Sequence, residues 1–220
     1  MRTAPEQNRR YFREAYESGR HGWESDEPSP YVARNLRRVR ERATGEQVLD
    51  LGCGEGRHCL LAARMGLRPV GIDYEPLAIA CAQERARQAG LGPSVELLAA
   101  DVFALPFQPQ SFDVLIDYGC LHHQRRSDWP RYLMPVEAVL KPAGHFLLST
   151  FSTAFRVYGA QERSWHLAHG AYRRFFTAED LHALFDDGFE FLSLEDEREG
   201  PRGFWHALMR RRTPRGSPAR

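Results

Sequence analysis

Residues Val48–Gly66 read VLDLGCGEGRHCLLAARMG, and the spacing of their glycines decides the fold. A short apolar run beginning at Gln47 stops at Gly52. Three glycines, Gly52, Gly54 and Gly56, then fall within five positions, and the apolar residues that follow recur at helical spacing up to Gly66. The order is strand, tight loop, helix. Glycine lets such a loop bend sharply and lets backbone N–H groups approach a ligand with no Cβ in the way. The dinucleotide fingerprint is G-x-G-x-x-G. Here the pattern is G-x-G-x-G, with Arg57 where the third glycine of that fingerprint would stand. Asp50, two residues before the first glycine, would repel a pyrophosphate but suits a ligand that carries an ammonium and a sulfonium.

Outward from this loop the same alternation continues. RPVGIDY is a second short strand. Glu75–Gly90 is helical, with Leu77, Ala78, Cys81 and Ala82 on one face and Pro76 in the first turn. SVELLAAD and FDVLID are two further strands. Ser127–Leu140 is predicted helical despite Pro130 and Pro135, and KPAG turns the chain into HFLLSTF. Near-continuous apolar strands alternating with helices predict an α/β fold, a doubly wound, mostly parallel sheet with helices on both faces. Such sheets bind ligands beyond the carboxyl ends of their strands. Four acids, Asp50, Asp73, Asp101 and Asp117, close four successive strands there. Asp73 lies about 21 positions beyond Gly52, where a carboxylate can accept both hydroxyls of a ribose. Asp101 is placed to accept an adenine amino proton, with the Val102 N–H next to it.

The composition bounds the function. The chain has 220 residues, 42% hydrophobic and 27% charged, which suits one domain with a sizeable core. A formal net charge of +1 gives no global attraction to nucleic acid or to an anionic membrane. No run approaches the ~18 apolar residues of a membrane span. The N-terminus lacks the apolar core of a signal peptide, so a cytoplasmic location is expected. Cys53, Cys59, Cys81 and Cys120 have no CxxC spacing and are expected to be small buried side chains, with no metal site.

Residues 1–212 are expected to form a single domain. Residues 1–44 would be a helical cap over the site, 152–176 an insertion, and 213–220 a disordered tail. The insertion is rich in aromatics and histidine. Phe155, Tyr158, Trp165, His166 and His169 suit either an acceptor lid or a surface excursion packed on the sheet edge. Thr177 caps a helix over TAEDLHALFDDG, and FEFLSLEDE with GFWHALMRR forms a hairpin-like pair at the sheet edge.

VLDLGCGEGRHCLLAARMG, VGIDYEP, AADVFALPF, FDVLIDYGCLHH and LKPAGHFLLSTF, occurring in that order over roughly residues 45–151, resemble the successive motifs of the Rossmann-like, class I S-adenosylmethionine-dependent methyltransferases. The resemblance implies a seven-stranded sheet whose last strand is antiparallel, and S-adenosyl-L-methionine as cofactor. It places Gly52, Cys53, Gly54 and Gly56 under the methionine part and Asp73 at the ribose, with Arg57, Tyr74 and Phe103 also expected at the cofactor. Asp101 and Val102 fall at the adenine, and Asp117 with Tyr118 at the methionine end. KPAG departs from the commoner KPGG, and Ala143 is expected only to stiffen that turn. YGCLHH, FWHALMRR and the N-terminal segment more loosely resemble the small-molecule branch near the thiopurine, thiol and tellurite methyltransferases. An aromatic entry segment there folds over the cofactor, which nominates Trp23 at the cofactor and Tyr16 at the substrate.

Methyl transfer from a sulfonium is an in-line displacement, so a small-molecule acceptor must be held close to the methyl with water excluded. After the fourth strand stands DYGC, not the Asp/Asn-Pro-Pro-aromatic run of enzymes that methylate the amino groups of nucleic-acid bases, and Cys120 follows glycine, not the proline of cytosine C5 enzymes. His122 and His123 follow the same strand and are either a general base or walls of the pocket. Adjacent histidines do not share one metal with good geometry. The expected acceptor is a thiol, hydroxyl or amine. Protein or RNA methylation, NAD-dependent oxidoreduction and a cofactor-binding subunit without chemistry remain the alternatives. Oligomeric state is not legible.

Overall fold

The computed structural model describes residues 4–19, 21, 23, 25–41, 45–153, 166–168, 170–197 and 203–213. The helices are α1 (Ala4–Ser18), α2 (Pro30–Arg40), α3 (Arg57–Arg64), α4 (Pro76–Gln88), α5 (Trp129–Val139) and α6 (Ala178–Phe185). The strands of the main sheet are β1 (Gln47–Leu51), β2 (Arg68–Asp73), β3 (Glu96–Ala99), β4 (Phe112–Tyr118), β5 (Leu140–Phe151), β8 (Phe189–Asp196) and β9 (Phe204–Arg211). Strands β6 (His166–Ala168) and β7 (Ala171–Arg173) form a separate two-stranded hairpin.

The seven strands run in the order β3-β2-β1-β4-β5-β9-β8. Pairs from β3 to β5 are parallel, whereas β9 lies antiparallel between β5 and β8. The C-terminal run is therefore the antiparallel strand, as expected, and it enters the sheet inside β8, leaving β8 at the edge.

Side-chain alternation explains why helices cover both faces. Val48, Val114, Ile116, Leu147 and Leu208 point to one side and pack with Tyr31, Val32, Leu36 and Val39 of α2. Leu49, Leu51, Leu115, Phe146 and Leu148 point to the other and pack with α5 and α6. Helix α6 starts at the predicted cap. Thr177 Oγ1 accepts from the Asp180 N–H, and the Asp180 carboxylate accepts from the Thr177 N–H.

Four expectations change. Helix α2, which falls within the expected 1–44 cap, packs into the core instead. Helix α4 buries Ala78, Ile79, Ala82 and Ala86, leaving Leu77 and Cys81 exposed. Packing selects this face because small side chains let α4 approach β2 and β3 closely. Helix α5 begins at Trp129, two residues later than expected, with Pro130 in its first turn where no N–H is needed. Ala143 has φ +61°, a left-handed conformation that costs an L-residue about 1–2 kcal/mol. KPAG is a strained turn, not a slightly stiffened one.

The expected tail, apart from Thr213, lies outside the described residues, as do Phe155, Tyr158, Trp165 and His169. Among the described residues no helix is long and apolar enough to cross a membrane, and no three His, Cys, Asp or Glu side chains cluster as a metal site.

Candidate active site

The loop after β1 and the ends of β2 and β4 open into a cavity of about 310 Å³, which joins a smaller chamber of about 100 Å³. Gly52, Asp73, Tyr74, Phe12, Cys120 and His123 line both and mark the junction. Gly54, at φ +55°, passes beneath Tyr16, and a Cβ there would lie 3.0 Å from the Tyr16 hydroxyl. Gly56, at φ +78°, brings the start of α3 onto α4, where an added Cβ would lie 3.1 Å from the Ala82 Cβ.

Asp50 lies beneath this loop, almost wholly buried. The Cys59 thiol donates to its Oδ2 at 3.6 Å, and His58 Nδ1 stands 3.9 Å from the same oxygen. His58 Nε2 accepts from the Ser29 N–H at 3.3 Å, so its proton resides on Nδ1, facing the acid. Burial raises Asp50 to about 7, with Cys59 and Arg57 only partly opposing. Asp73 accepts from the Gly54 N–H at 3.0 Å and the Glu75 N–H at 2.9 Å, yet burial still raises it to about 6. The carboxylate thus fixes the glycine loop while bordering both chambers.

The smaller chamber is lined by Asp101, Val102, Phe103 and Tyr74. Asp101 accepts from the Phe103 N–H at 3.0 Å and pairs with Arg9 of α1 at 2.9 Å. Arg9 also lies over the Tyr74 ring, 5.2 Å from its centroid. The buried Tyr74 hydroxyl has no hydrogen-bond partner.

A roof closes the larger chamber. Tyr11, Phe12 and Tyr16 of α1 line it together with His21 and Trp23. Trp23 Nε1 donates to the Tyr16 hydroxyl at 3.3 Å and the Trp23 ring stacks on His21 at 4.4 Å. His21 meets Glu55 at 3.0 Å, and Arg85 of α4 donates to the other Glu55 oxygen at 2.6 Å. Tyr16, expected at the substrate, sits over the glycine loop beside Trp23.

Beyond Gly119 the rings of Tyr118, Phe204, Phe151 and His122 form one wall. His122 is stacked on Phe151 at 3.8 Å, Phe151 on Phe204 at 5.1 Å, and Phe204 meets Tyr118 at 5.3 Å. His122 and His123 lie in a single 3₁₀ turn and both line the cavity. His122 Nδ1 is buried without a partner. Burial holds His122 neutral, far below the ordinary imidazole range, and the neighbouring His123 and Arg173 add to the shift. Burial lowers His123 to about 3, which Arg173 reinforces and the Tyr172 carbonyl partly offsets.

Asp117, expected at the methionine end, lines neither chamber. It is fully buried and turned inward, accepting from the Tyr132 hydroxyl at 2.6 Å, the Cys120 N–H at 2.7 Å and the Leu121 N–H at 3.0 Å. It shapes the turn that carries the histidines. The expected Tyr118, Cys53 and Arg57 do line the cavity, with Arg57 5.0 Å over the Tyr118 ring. His166 pairs through its backbone with Arg173 in the hairpin. Arg9, Tyr11, Phe12, His58, Phe151, Arg173 and Phe204 were not singled out from sequence. His58 alone carried a local signal, as the residue after Arg57 in the loop-to-helix turn.

The residues fit an adenosyl sulfonium ligand. Asp50 and Asp73 are acids pushed upward chiefly by burial and further by neighbouring carboxylates, and a cation with a ribose would satisfy both. The orphaned Tyr74 hydroxyl and Asp101 lie where a polar heterocycle would sit, and the glycine loop leaves space that a Cβ would fill.

Known proteins agree. A family model described as "Methyltransferase domain" matches residues 43–190. The tRNA U34 carboxymethyltransferase of Cellvibrio japonicus is 30% identical over 129 residues, 58% of this chain and 38% of that protein. The norajmaline N-methyltransferase of Rauvolfia serpentina is 27% identical over 108 residues, 49% of this chain and 36% of that protein. The chain thus spans about two fifths of the length of these curated relatives. The 1,6-didemethyltoxoflavin-N1-methyltransferase of Burkholderia thailandensis, solved with 1,6-didemethyltoxoflavin and S-adenosylhomocysteine, superposes with a TM-score of 0.77 at 25% identity, covering 97% of this chain and 92% of that one. With the sheet order, the glycine loop and the paired chambers, the match over two thirds of the chain places this protein in the methyltransferase domain family, among the class I S-adenosylmethionine-dependent enzymes.

Proposed function

We propose that this protein transfers a methyl group from S-adenosyl-L-methionine to a small-molecule acceptor. The observation that carries the proposal is the roof. Tyr11, Phe12 and Tyr16 of α1 close the larger chamber from one side and Arg173 of β7 from another, leaving a space that suits a small organic molecule and not a folded macromolecule. The Burkholderia relative, whose acceptor is a small heterocycle, supports the same view. The looser likeness to thiopurine, thiol and tellurite methyltransferases favours a soft acceptor.

When bound, the cofactor supplies an electrophilic methyl on sulfur. Asp50 and the loop Gly52–Gly56 hold the methionine part, Asp73 the ribose, and Asp101 with Val102 and Phe103 the adenine. Trp23 and Tyr16 cover the methionine part. The wall of Tyr118, Phe204, Phe151 and His122 positions the acceptor and keeps water out, so proximity supplies most of the rate enhancement. Calorimetry with S-adenosylmethionine, S-adenosylhomocysteine and NADH tests this. Binding of both sulfur compounds and none of NADH is expected; tight NADH binding without response to the sulfonium compound overturns it. A methyl-transfer screen across thiols, phenols, amines and carboxylates then identifies the acceptor.

A further inference from the structure

Two residues in the first turn of α3 stand behind Asp50. The Cys59 thiol donates to its Oδ2 at 3.6 Å, and His58 Nδ1 lies 3.9 Å from the same oxygen. A thiol is a weak donor, whereas an imidazole N–H is a good one. His58 is in turn fastened to a third element. The Ser29 N–H, at the start of α2, donates to His58 Nε2 at 3.3 Å, and a backbone N–H can only donate. Nε2 therefore carries no proton, and the proton on Nδ1 faces Asp50. Both side chains line the larger chamber, with Asp50 1% and His58 3% exposed. From this arrangement, and resting on the methyltransferase reading above, we propose that His58 is a positioning residue for the amino-acid end of the cofactor. It keeps Asp50 Oδ2 turned inward, so that the carboxylate meets the ammonium of S-adenosylmethionine in one orientation.

Charge explains why a neutral ring serves here. Burial lowers His58 to about 3, and Arg57 adds to the shift, so the ring is uncharged near neutrality. An imidazolium this close would cancel the attraction of Asp50 for an ammonium. A neutral N–H directs the carboxylate and leaves its charge to be matched by the ligand. Cys59 and Arg57 only partly offset the burial of Asp50, and Asp117 and Asp73 oppose its ionisation. When an ammonium draws Asp50 into the charged form, the carboxylate pulls the waiting Nδ1–H towards it. The rival reading is packing alone, since the His58 ring also meets Tyr118 at 5.1 Å and joins α2 to α3. The two differ in what they protect. A packing residue supports the whole site, and a positioning residue supports the part of the ligand that carries the ammonium.

The test compares S-adenosylhomocysteine with 5′-methylthioadenosine, which shares the adenosine and the thioether but lacks the amino-acid end. Both are titrated by calorimetry. A native chain that binds neither fails at the family-level reading, before His58 is in question. Native affinity no greater for S-adenosylhomocysteine than for methylthioadenosine overturns the present proposal alone. His58→Gln can still accept from Ser29 but has no donor at the Nδ1 position. It should bind S-adenosylhomocysteine about fivefold more weakly, the scale of one net hydrogen bond, with methylthioadenosine unchanged. His58→Asn keeps an amide N–H where Nδ1 was and should recover most of that loss. Ser29→Pro, at a φ of −56° that proline adopts, deletes the N–H that fixes the tautomer and should resemble His58→Gln. Equal losses for both compounds, or no loss for either, would reduce His58 to packing. Imidazole 15N spectra of the native chain decide the matter even if no variant folds. His58 should be the Nδ1–H tautomer, and its Nδ1 signal should move with S-adenosylhomocysteine and not with methylthioadenosine. An Nε2–H tautomer, or equal movement with both, overturns the proposal.

Discussion

His123 Nδ1 donates to the Tyr172 carbonyl at 3.0 Å, and that oxygen also accepts from Asn8 Nδ2 at 3.2 Å, while the Tyr172 N–H donates to Asn8 Oδ1 at 2.6 Å. One backbone unit of β7 therefore joins α1 to the histidine turn. Tyr172 fixes the His123 tautomer, and Asn8 holds Tyr172 as a neighbouring strand would. Asn8→Ala should loosen the roof without touching the core. Native-state hydrogen exchange at the Tyr172 amide should accelerate by about tenfold or more, with amides in β1 and β4 unchanged. Unchanged exchange at Tyr172 would show that α1 is held by its other contacts.

Asp50 should couple cofactor binding to pH. Burial raises it from 3.8 to about 7, so below that value the carboxyl is protonated and cannot attract an ammonium. Affinity for S-adenosylmethionine should fall roughly tenfold from pH 8 to pH 6, and binding near neutrality should release a proton. For the free protein the sign reverses. A raised acid favours the folded state below the unfolded value, and its contribution is lost as pH rises from about 4 to about 7. Calorimetry in buffers of different ionisation heat measures the proton released. Asp50→Asn should abolish it.

Asp73 and Asp117 both end strands, but their substitutions should separate. Asp73→Ala should weaken cofactor binding at least about tenfold through loss of the ribose acceptor. Tyr132→Phe, which strips one hydrogen bond from buried Asp117, should lower stability by about 1–3 kcal/mol while leaving cofactor affinity within about threefold. Urea denaturation read alongside cofactor titration distinguishes the two. Equal losses of affinity would mean that the turn after β4 governs the cofactor site.

Ala143→Gly should stabilise the chain. The left-handed φ of Ala143 costs about 1–2 kcal/mol, and glycine returns part of that gain through greater freedom when unfolded. A net gain of about 0.5–1 kcal/mol corresponds to a rise of roughly 1–4 °C in Tm at this chain length. A lower Tm would mean that the turn relaxes in solution.

The sequence by itself determined the sheet and the glycine loop and strand-ending acids that line the two chambers. Strand-ending acids and glycines are local signals, because a loop that must adopt positive φ or pass under a ligand restricts residue type at fixed spacing. Gly52, Gly54, Gly56, Asp50, Asp73 and Asp101 were therefore legible, as was the antiparallel last strand through the resemblance. Tertiary structure alone decided the opposite wall of the larger chamber. Tyr11, Arg173, Phe151 and Phe204 come from α1, β7, β5 and β9, and they meet only because the sheet order places β9 beside β5 and α1 docks on the hairpin. Local pattern could not tell that Asp117 turns inward while Asp73 faces the chamber. Both end a strand before a turn, and the difference is set by Tyr132, fifteen residues away along the chain, whose hydroxyl reaches one carboxylate and not the other.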